Sequence, residues 1–256
     1  VTSNAIIPIT AQGTTVVTWT YDDGSGNTST QTQNVIINDV TAPVPDLVAL
    51  ADITAECSVT SLTAPTATDN CGGTVTVTNN ATLPITAQGT TVVTWTYTDA
   101  AGNNSTQTQN VILNDVTAPV PDIAALADAT AECFVTVTAP TATDNCVGTI
   151  VGTTVDPLTY SVEGAYVINW TFTDGAGNTS TATQNVIIDD VTPPVPTTAA
   201  LADVTAECGV YSLTYPTASD NCGGTITGVT ATSFPITTTG TTVVTWTFDD
   251  NRGNVI

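Results

Sequence analysis

Hydrophobic and polar residues alternate along several stretches of the chain. In the segment TTVVTWTYTD, Val93, Trp95 and Tyr97 fall on one face of an extended strand and threonines fall on the other. The turn DAAGN and a second alternating stretch, STQTQNVILN, follow, which predicts a β-hairpin. The same triplet recurs as Val17/Trp19/Tyr21, Ile168/Trp170/Phe172 and Val244/Trp246/Phe248. No stretch has a helical period, so the pattern predicts an all-β protein with each tryptophan in a core.

The hairpin belongs to an internal repeat. The phrase DVTAPVPD begins at Asp39 and Asp115, and DVTPPVPT begins at Asp190, so the steps are 76 and 75 residues. The four tryptophans step by 76, 75 and 76 residues. Such constant spacing indicates that each repeat is one folded module. Seven or so short strands in about 75 residues predict tandem immunoglobulin-like β-sandwich modules that form an elongated rod.

The repeat also predicts the module boundaries, which are 1–38, 39–114, 115–189 and 190–256. The first is a partial module, the C-terminal half, and the last lacks its final strand. Half a module cannot bury a core of its own, so we expect the chain to be a window of a longer array. The alternative is that the two ends complete each other between chains, so that the chain is a subunit that polymerises by strand exchange.

Composition excludes several classes of function. The chain has 23 acidic residues, one basic residue (Arg252), no histidine and a net charge of −22. Nucleic-acid phosphates and anionic membranes attract basic proteins, and most acid–base and nucleophilic catalysis uses His or Lys. Two carboxylates alone can hydrolyse glycosides. The acidic residues of this chain, however, recur in every repeat, as structural residues do. We therefore expect no enzyme, no nucleic-acid binding and no membrane insertion.

The six cysteines form three pairs of similar spacing. They are Cys57/Cys71, Cys133/Cys146 and Cys208/Cys222, separated by 14, 13 and 14 residues. Neither CxxC nor a histidine is present to build a zinc site. The spacing predicts one local disulfide per module and an extracellular, oxidising location. Three pairs of buried thiols are the alternative.

Acidic residues recur at three positions of each repeat. They stand at the module entrance, in the TDN or SDN segment, and in the hairpin loop: Asp39, Asp69 and Asp99; Asp115, Asp144 and Asp174; Asp190, Asp220 and Asp250. In a sandwich of this strand order the three positions converge at the joint between modules. Oxygen ligands of this kind suit Ca²⁺, and asparagines such as Asn70 and Asn103 could add side-chain oxygens. Plain turn formation by Asp, Asn and Gly is the alternative. Glu56, Glu132 and Glu207, beside the first cysteines, are interpreted as solvent-facing, with a supporting metal role as the alternative.

Several motifs together resemble the hyalin repeat (HYR) family. They are D-x-T-x-P at Asp39–Pro43, PTATDNC at Pro65–Cys71, PIT-x-x-GTTVVTW at Pro84–Trp95 and TD-x-AGN at Thr98–Asn103. The resemblance implies an immunoglobulin-like, non-enzymatic fold in extracellular adhesion proteins, including tandem arrays in giant bacterial surface proteins. Family members often carry further cysteines near the start and in the last strand, where this chain reads VPDLV and STQTQ.

These observations predict a structural repeat segment of an extracellular surface filament or adhesin stalk, stiffened by calcium at its joints. Its expected partners are neighbouring modules of the same or identical chains, with a surface glycan or protein at the filament tip. A carbohydrate- or protein-binding adhesion module is the second interpretation. The near-identity of SNAIIPITAQGTTVVTW and NNATLPITAQGTTVVTW favours a spacer, because binding loops should differ between neighbours.

Overall fold

A computed structural model describes all 256 residues, which form β-strands and no helix. A membrane-spanning helix is accordingly not found. The chain divides into two compact units, Val1–Val116 and Thr117–Ile256. The predicted all-β class of tandem β-sandwich modules is confirmed.

The first unit contains nine strands. They are β1 (Thr2–Ser3), β2 (Gly13–Asp22), β3 (Thr28–Ile37), β4 (Val44–Pro45), β5 (Ile53–Ala55), β6 (Ala67–Thr68), β7 (Thr76–Asn79), β8 (Gly89–Thr98) and β9 (Asn104–Leu113). Strands β1, β2 and β3 form one sheet, and the order β5-β9-β8-β7 forms another. Strands β4 and β6 pair, and the isolated bridge Val59–Ile85 lies outside the sheets.

The second unit contains eleven strands. They are β10 (Val120–Pro121), β11 (Ala129–Ala131), β12 (Val135–Thr136), β13 (Thr141–Asp144), β14 (Gly148–Val151), β15 (Thr159–Tyr160), β16 (Gly164–Thr173), β17 (Thr179–Ile188), β18 (Val195–Pro196), β19 (Thr217–Asp220) and β20 (Gly224–Thr227). Their sheets have the orders β10-β13-β14, β11-β17-β16, β12-β15 and β18-β19-β20.

Long antiparallel hairpins carry the two cores. Strand β8 pairs with β9 over ten residues, and β16 pairs with β17 over ten residues. Trp95 and Trp170 are each 1% exposed, as the alternation predicts. The other members of the two triplets are 0% exposed, namely Val93, Tyr97, Ile168 and Phe172. Alternation therefore located both the strands and their buried faces.

The two incomplete repeats bury their triplets less well. In β2, Val17 is buried but Tyr21 is 40% exposed. Near the end of the chain Trp246 is half-buried and packs edge-on against Tyr215, with ring centroids 5.3 Å apart. Residues 241–246 form no strand: Val255 and Ile256 pair with Asp249 and Phe248, beyond that segment, whereas β8 and β16 each face a ten-residue partner.

A parallel strand pair fixes the direction of each complete sandwich. Strand β11 runs parallel to β17, with Ala131 beside Ile188, and β5 runs parallel to β9 in the same way. The end of β11 therefore lies at the same pole as the end of β17. The β16–β17 loop lies at the other pole, about 33 Å away for a ten-residue strand.

Candidate functional site

The three recurrent aspartates of the last repeat meet in space. Asp190 lies in the segment between β17 and β18, Asp220 ends β19, and Asp250 begins the loop DNRGN. Their carboxylate oxygens lie within 4.8 Å of one another. Asp190 and Asp250 are buried, and Asp220 is half-buried. We call these three residues the 190 cluster.

Each middle-loop aspartate uses one oxygen to hold its own turn. Asp220 Oδ2 accepts hydrogen bonds from the backbone nitrogens of Cys222 (2.7 Å) and Gly223 (2.6 Å). Asp144 Oδ1 accepts from Cys146 and Val147, and Asp69 Oδ2 accepts from Cys71. The second oxygen of each carboxylate, on Asp69, Asp144 and Asp220, is buried and accepts no hydrogen bond. Turn formation thus explains only one oxygen per residue, since a buried carboxylate oxygen normally has a partner.

The hairpin-loop aspartates are held by their loops. Asp250 accepts hydrogen bonds from the backbone nitrogens of Arg252 and Asn254 and from the Asn254 side chain. Burial acts to raise the pKa of Asp250, but these hydrogen bonds outweigh it and the pKa is lowered. The pKa values of Asp99 and Asp174 are lowered in the same way against the effect of burial. These three groups are therefore carboxylates at neutral pH.

Asparagine amides connect the hairpin loop to the module entrance. Asn254 Nδ2 donates to the backbone carbonyl of Asp190 at 2.9 Å and to Asp250 Oδ2 at 2.8 Å. Asn103 Nδ2 donates to the carbonyl of Asp39 at 3.1 Å and to Asp99 Oδ2 at 2.8 Å. These asparagines thus contribute donors through their nitrogen atoms, where the sequence led us to consider their oxygens as ligands.

The other six predicted aspartates lie in related surroundings. In the first unit, oxygens of Asp39 and Asp69 and the sulfur of Cys71 lie within 4.8 Å of one another. Asp115 belongs to the same unit and is buried, and its backbone nitrogen donates to Gln88 Oε1. In the second unit, Asp144 and Asp174 are buried with their carboxylate oxygens within 4.8 Å. Metal binding by the nine aspartates remains a prediction.

The predicted local disulfides are wrong. Cys133 is bonded to Cys222, 89 residues away, with a Cα–Cα distance of 5.0 Å. Cys71 and Cys208 are free and exposed, so neither Cys57 nor Cys222 is bonded to the partner that the spacing predicts. Cys57 and Cys146 are each disulfide-bonded as well.

The strand directions explain this error. Cys133 follows β11 at the pole where β17 ends, whereas Cys146 lies in the β13–β14 turn next to Asp144. Asp144 contacts the loop residue Asp174, so this turn lies at the opposite pole. The two cysteines of one repeat are therefore about a strand length apart, beyond the reach of a disulfide. Within the second unit, Cys133–Cys222 links repeat 115–189 to repeat 190–256.

Glu132 takes part in the same junction, although the sequence suggested a solvent-facing role. Its Oε2 accepts hydrogen bonds from Thr192 Oγ1 at 2.8 Å and from Asn221 Nδ2. Both donors belong to the next repeat. The position of Glu132, directly before a cysteine that bonds the next repeat, was the one signal for this role.

Repeat 115–189 diverges most from the other repeats in sequence, with Asp156, Tyr160, Glu163 and Tyr166 where they are rich in Thr and Ala. This repeat carries a shallow groove. Asp156, Tyr160 and Tyr166 line it, and its volume is about 370 Å³. The two tyrosine rings lie 4.7 Å apart, and Tyr160 is buried. Asp156 Oδ2 already accepts hydrogen bonds from Thr154 and from the Asn169 backbone nitrogen. This oxygen of Asp156 is therefore already used within the protein, whereas Thr159 and Ser161 also line the groove.

Comparison with known proteins agrees with the resemblance that the sequence motifs indicate. Residues 40–112 match the family described as an HYR-like domain with 4 cysteines. A hyalin of the sea urchin Lytechinus variegatus is 37% identical over 279 aligned positions, which cover 95% of this chain and 50% of that protein. A hyalin of Strongylocentrotus purpuratus is 34% identical, and the alignment covers 94% of this chain and 22% of that protein. These matches support the placement of this chain in a hyalin-repeat family.

The matches to the hyalins bear on two predictions made from the sequence. They support an extracellular, adhesion-related repeat protein, and the predicted extracellular location is confirmed. Both relatives come from sea urchins, so they give no support to a bacterial surface. The chain spans half the length of the first hyalin and about a fifth of the second. Residues 40–112 contain two cysteines, Cys57 and Cys71, where the family description names four.

Solved structures of cadherin-type proteins are also similar to the chain. Protocadherin gamma B2 extracellular domains 1–5 have a TM-score of 0.31 at 15% identity, covering 84% of this chain and 52% of that one. The protocadherin gamma B4 extracellular domain has a TM-score of 0.30 at 15% identity, covering 87% and 47%. Likeness at this level carries no conclusion about function.

Proposed function

We propose that this chain is a structural repeat segment of an extracellular filament or adhesin stalk, and that calcium stiffens it at its acidic clusters. The ions would be held by the aspartates at the three recurrent positions: Asp39, Asp69, Asp99, Asp115, Asp144, Asp174, Asp190, Asp220 and Asp250. The observation that carries the proposal is the buried carboxylate oxygen without a hydrogen-bond donor on Asp69, Asp144 and Asp220.

The chemistry of these groups favours a hard divalent cation. The 190 cluster brings three carboxylates within 4.8 Å, and like charges that close repel unless a cation lies between them. All the candidate ligand atoms on the nine aspartates are oxygens, which Ca²⁺ prefers over nitrogen or sulfur ligands. Cys222 lies near the 190 cluster, but its sulfur is in a disulfide and is not a thiolate ligand.

A structural role agrees with how the repeats are built. The cores of repeats 39–114 and 115–189 are built alike, because the corresponding triplets of apolar side chains are each at most 1% exposed. Within the second unit, a disulfide, the Glu132 hydrogen bonds and the 190 cluster all act at the junction of two repeats. Such reinforcement limits relative movement, which is what a projecting stalk requires.

Calorimetry tests the calcium part of the proposal. Titration of Ca²⁺ into the chelator-treated protein should release or absorb heat, and scanning calorimetry should show a higher melting temperature. Asp69→Asn keeps the size of the side chain, removes its charge and should weaken one binding event. Asp128→Asn is the matched control, because Asp128 is exposed and bonds Asn185 outside the clusters. An absence of both heat and a shift in melting temperature would rule calcium out.

Recognition of a glycan or protein is the second candidate function. The groove beside Tyr160 and Tyr166 supports it, because it occurs in the divergent repeat and contains aromatic side chains. Binding of soluble oligosaccharides should then perturb the tyrosine fluorescence of the wild-type protein and not that of Tyr166→Ala. If no sugar or protein ligand binds in a Tyr166-dependent way, the spacer function stands alone.

A further inference from the structure

The single basic residue of the chain lies in an acidic cluster. Arg252 belongs to the loop DNRGN, where the corresponding loops have Ser25, Ala101 and Ala176. Its Nε lies 3.9 Å from Asp190 Oδ2. The Arg252 side chain is 23% exposed and that of Asp190 is 0% exposed. Among 256 residues, the one fixed positive charge thus reaches the most deeply buried carboxylate of the 190 cluster.

The loop directs the guanidinium inward. The backbone nitrogen of Arg252 donates to Asp250 Oδ1 at 2.7 Å, which anchors the residue directly beside a member of the cluster. Arg252 Nη1 is buried and donates no hydrogen bond, and Asp190 Oδ2 is buried and accepts none. The contact is therefore an ion pair without a hydrogen bond, and charge holds the group there.

We propose that Arg252 is a built-in counter-cation of the 190 cluster, and that it occupies the place which a divalent cation takes at the corresponding clusters. A guanidinium lowers the repulsion among Asp190, Asp220 and Asp250 without any bound ion. A calcium ion entering this cluster must compete with a tethered positive charge, so the cluster binds calcium more weakly than its counterpart at Asp39, Asp69 and Asp99, where Ala101 replaces Arg252. The junction before repeat 190–256 consequently keeps its stability when calcium is removed. The comparison with the other clusters rests on the calcium role proposed above.

Substitutions at the one loop position test this. Native mass spectrometry of the full chain under Ca²⁺ titration should show one more bound ion for Arg252→Gln than for the wild type, and one fewer for Ala101→Arg. Ser25→Arg is the matched control, because Ser25 lies in the equivalent loop with Asp23, which is exposed. An arginine at this position should leave the ion count unchanged. If the wild type binds calcium, either an unchanged count for Arg252→Gln or loss of an ion from Ser25→Arg would overturn the proposal.

A second measurement does not depend on calcium. With chelator present, Arg252→Gln should melt at a lower temperature than the wild type, because three carboxylates then face one another without a cation. Adding Asp190→Asn to Arg252→Gln should recover most of that loss. Equal melting of the wild type and Arg252→Gln would overturn the proposal. If no variant binds calcium but the loss and its recovery are both seen, the calcium role fails and Arg252 stands as the counter-cation.

Discussion

Asn103 and Asn254 each tie two aspartates together through one amide nitrogen. The Asn103 nitrogen donates to the Asp39 carbonyl and to the Asp99 carboxylate, so one side chain holds the hairpin loop against the module entrance. The motif D-x-x-G-N identified Asn103 but not its role. An asparagine amide has both a donor nitrogen and an acceptor oxygen, and the sequence does not show which atom makes the contact. Only the positions of Asp39 and Asp99 decide which atom is used.

Asn103→Ala should lower the stability of the first unit by about 1–2 kcal/mol, because a carbonyl and a carboxylate lose their shared donor. The effect should depend on pH. Burial acts to raise the pKa of Asp99, but hydrogen bonds, that of the Asn103 side chain first among them, lower this pKa below its ordinary value of 3.8. That stabilisation is present above pH 3.8 and is lost as the pH falls through the lower folded-state pKa.

Thermal melting between pH 7 and pH 2 measures the difference. The difference between the wild type and Asn103→Ala should be largest at pH 7 and should narrow at the acidic end, where only the hydrogen bond to the Asp39 carbonyl is left. Asn27→Ala is the matched comparison: Asn27 lowers the pKa of Asp23 by the same side-chain hydrogen bond, but in an exposed loop, so its effect at pH 7 should be smaller. A gap between wild type and Asn103→Ala that stays constant down to pH 2 would show that Asp99 is not involved.

The free thiol of Cys71 is a second residue whose chemistry is set by its neighbours. Desolvation raises the pKa of Cys71, and a hydrogen bond to Asp39 and the charges of Asp39, Asp69 and Asp99 raise it further. The thiolate is the reactive form, so alkylation of Cys71 should be slow near neutral pH. Asp39→Asn should accelerate its labelling by iodoacetamide several-fold, measured by peptide mass spectrometry. A rate unchanged by Asp39→Asn would contradict this account.

At the scale of strands, the period-two pattern was sufficient for the hairpins but not for the cysteines. Alternation identifies which side chains of β8 are buried because each residue turns over relative to its neighbour. It carries no information about the direction of β11 relative to β17, which pair in parallel. That direction places Cys133 and Cys146 at opposite poles, so similar spacing in sequence led to the wrong disulfide.

The register of β8 can be tested with two adjacent valines. Val93 is 0% exposed and Val92 is 54% exposed. Val93→Ala should destabilise the first unit by about 2 kcal/mol through lost burial and a cavity. Val92→Ala removes the same atoms from the outer face and should change the stability by less than about 0.5 kcal/mol. Urea unfolding followed by tryptophan fluorescence distinguishes them, and equal effects would mean that the register is displaced.

For the whole molecule, a disulfide between two repeats contributes stability that a disulfide within one repeat would not provide. Cys133–Cys222 closes a span of 89 residues across two repeats. A link over such a span restricts the unfolded chain by about 4–5 kcal/mol in the loop-entropy treatment. A local bridge of about 15 residues would contribute nearer 3 kcal/mol and would leave neighbouring repeats free to unfold separately.

Alkylation before and after reduction tests this arrangement. Without reduction, iodoacetamide should label Cys71 and Cys208 and no other cysteine, and after reduction and denaturation it should label all six. The double variant Cys133→Ser/Cys222→Ser should lower the melting temperature of the second unit, because its unfolded chain gains conformational freedom. The exposed Cys208 stays unpaired in this variant. Cys208→Ser is the matched control and should melt as the wild type does. A non-reduced peptide joining Cys133 to Cys146 would contradict this arrangement and would show that the disulfides lie within single repeats.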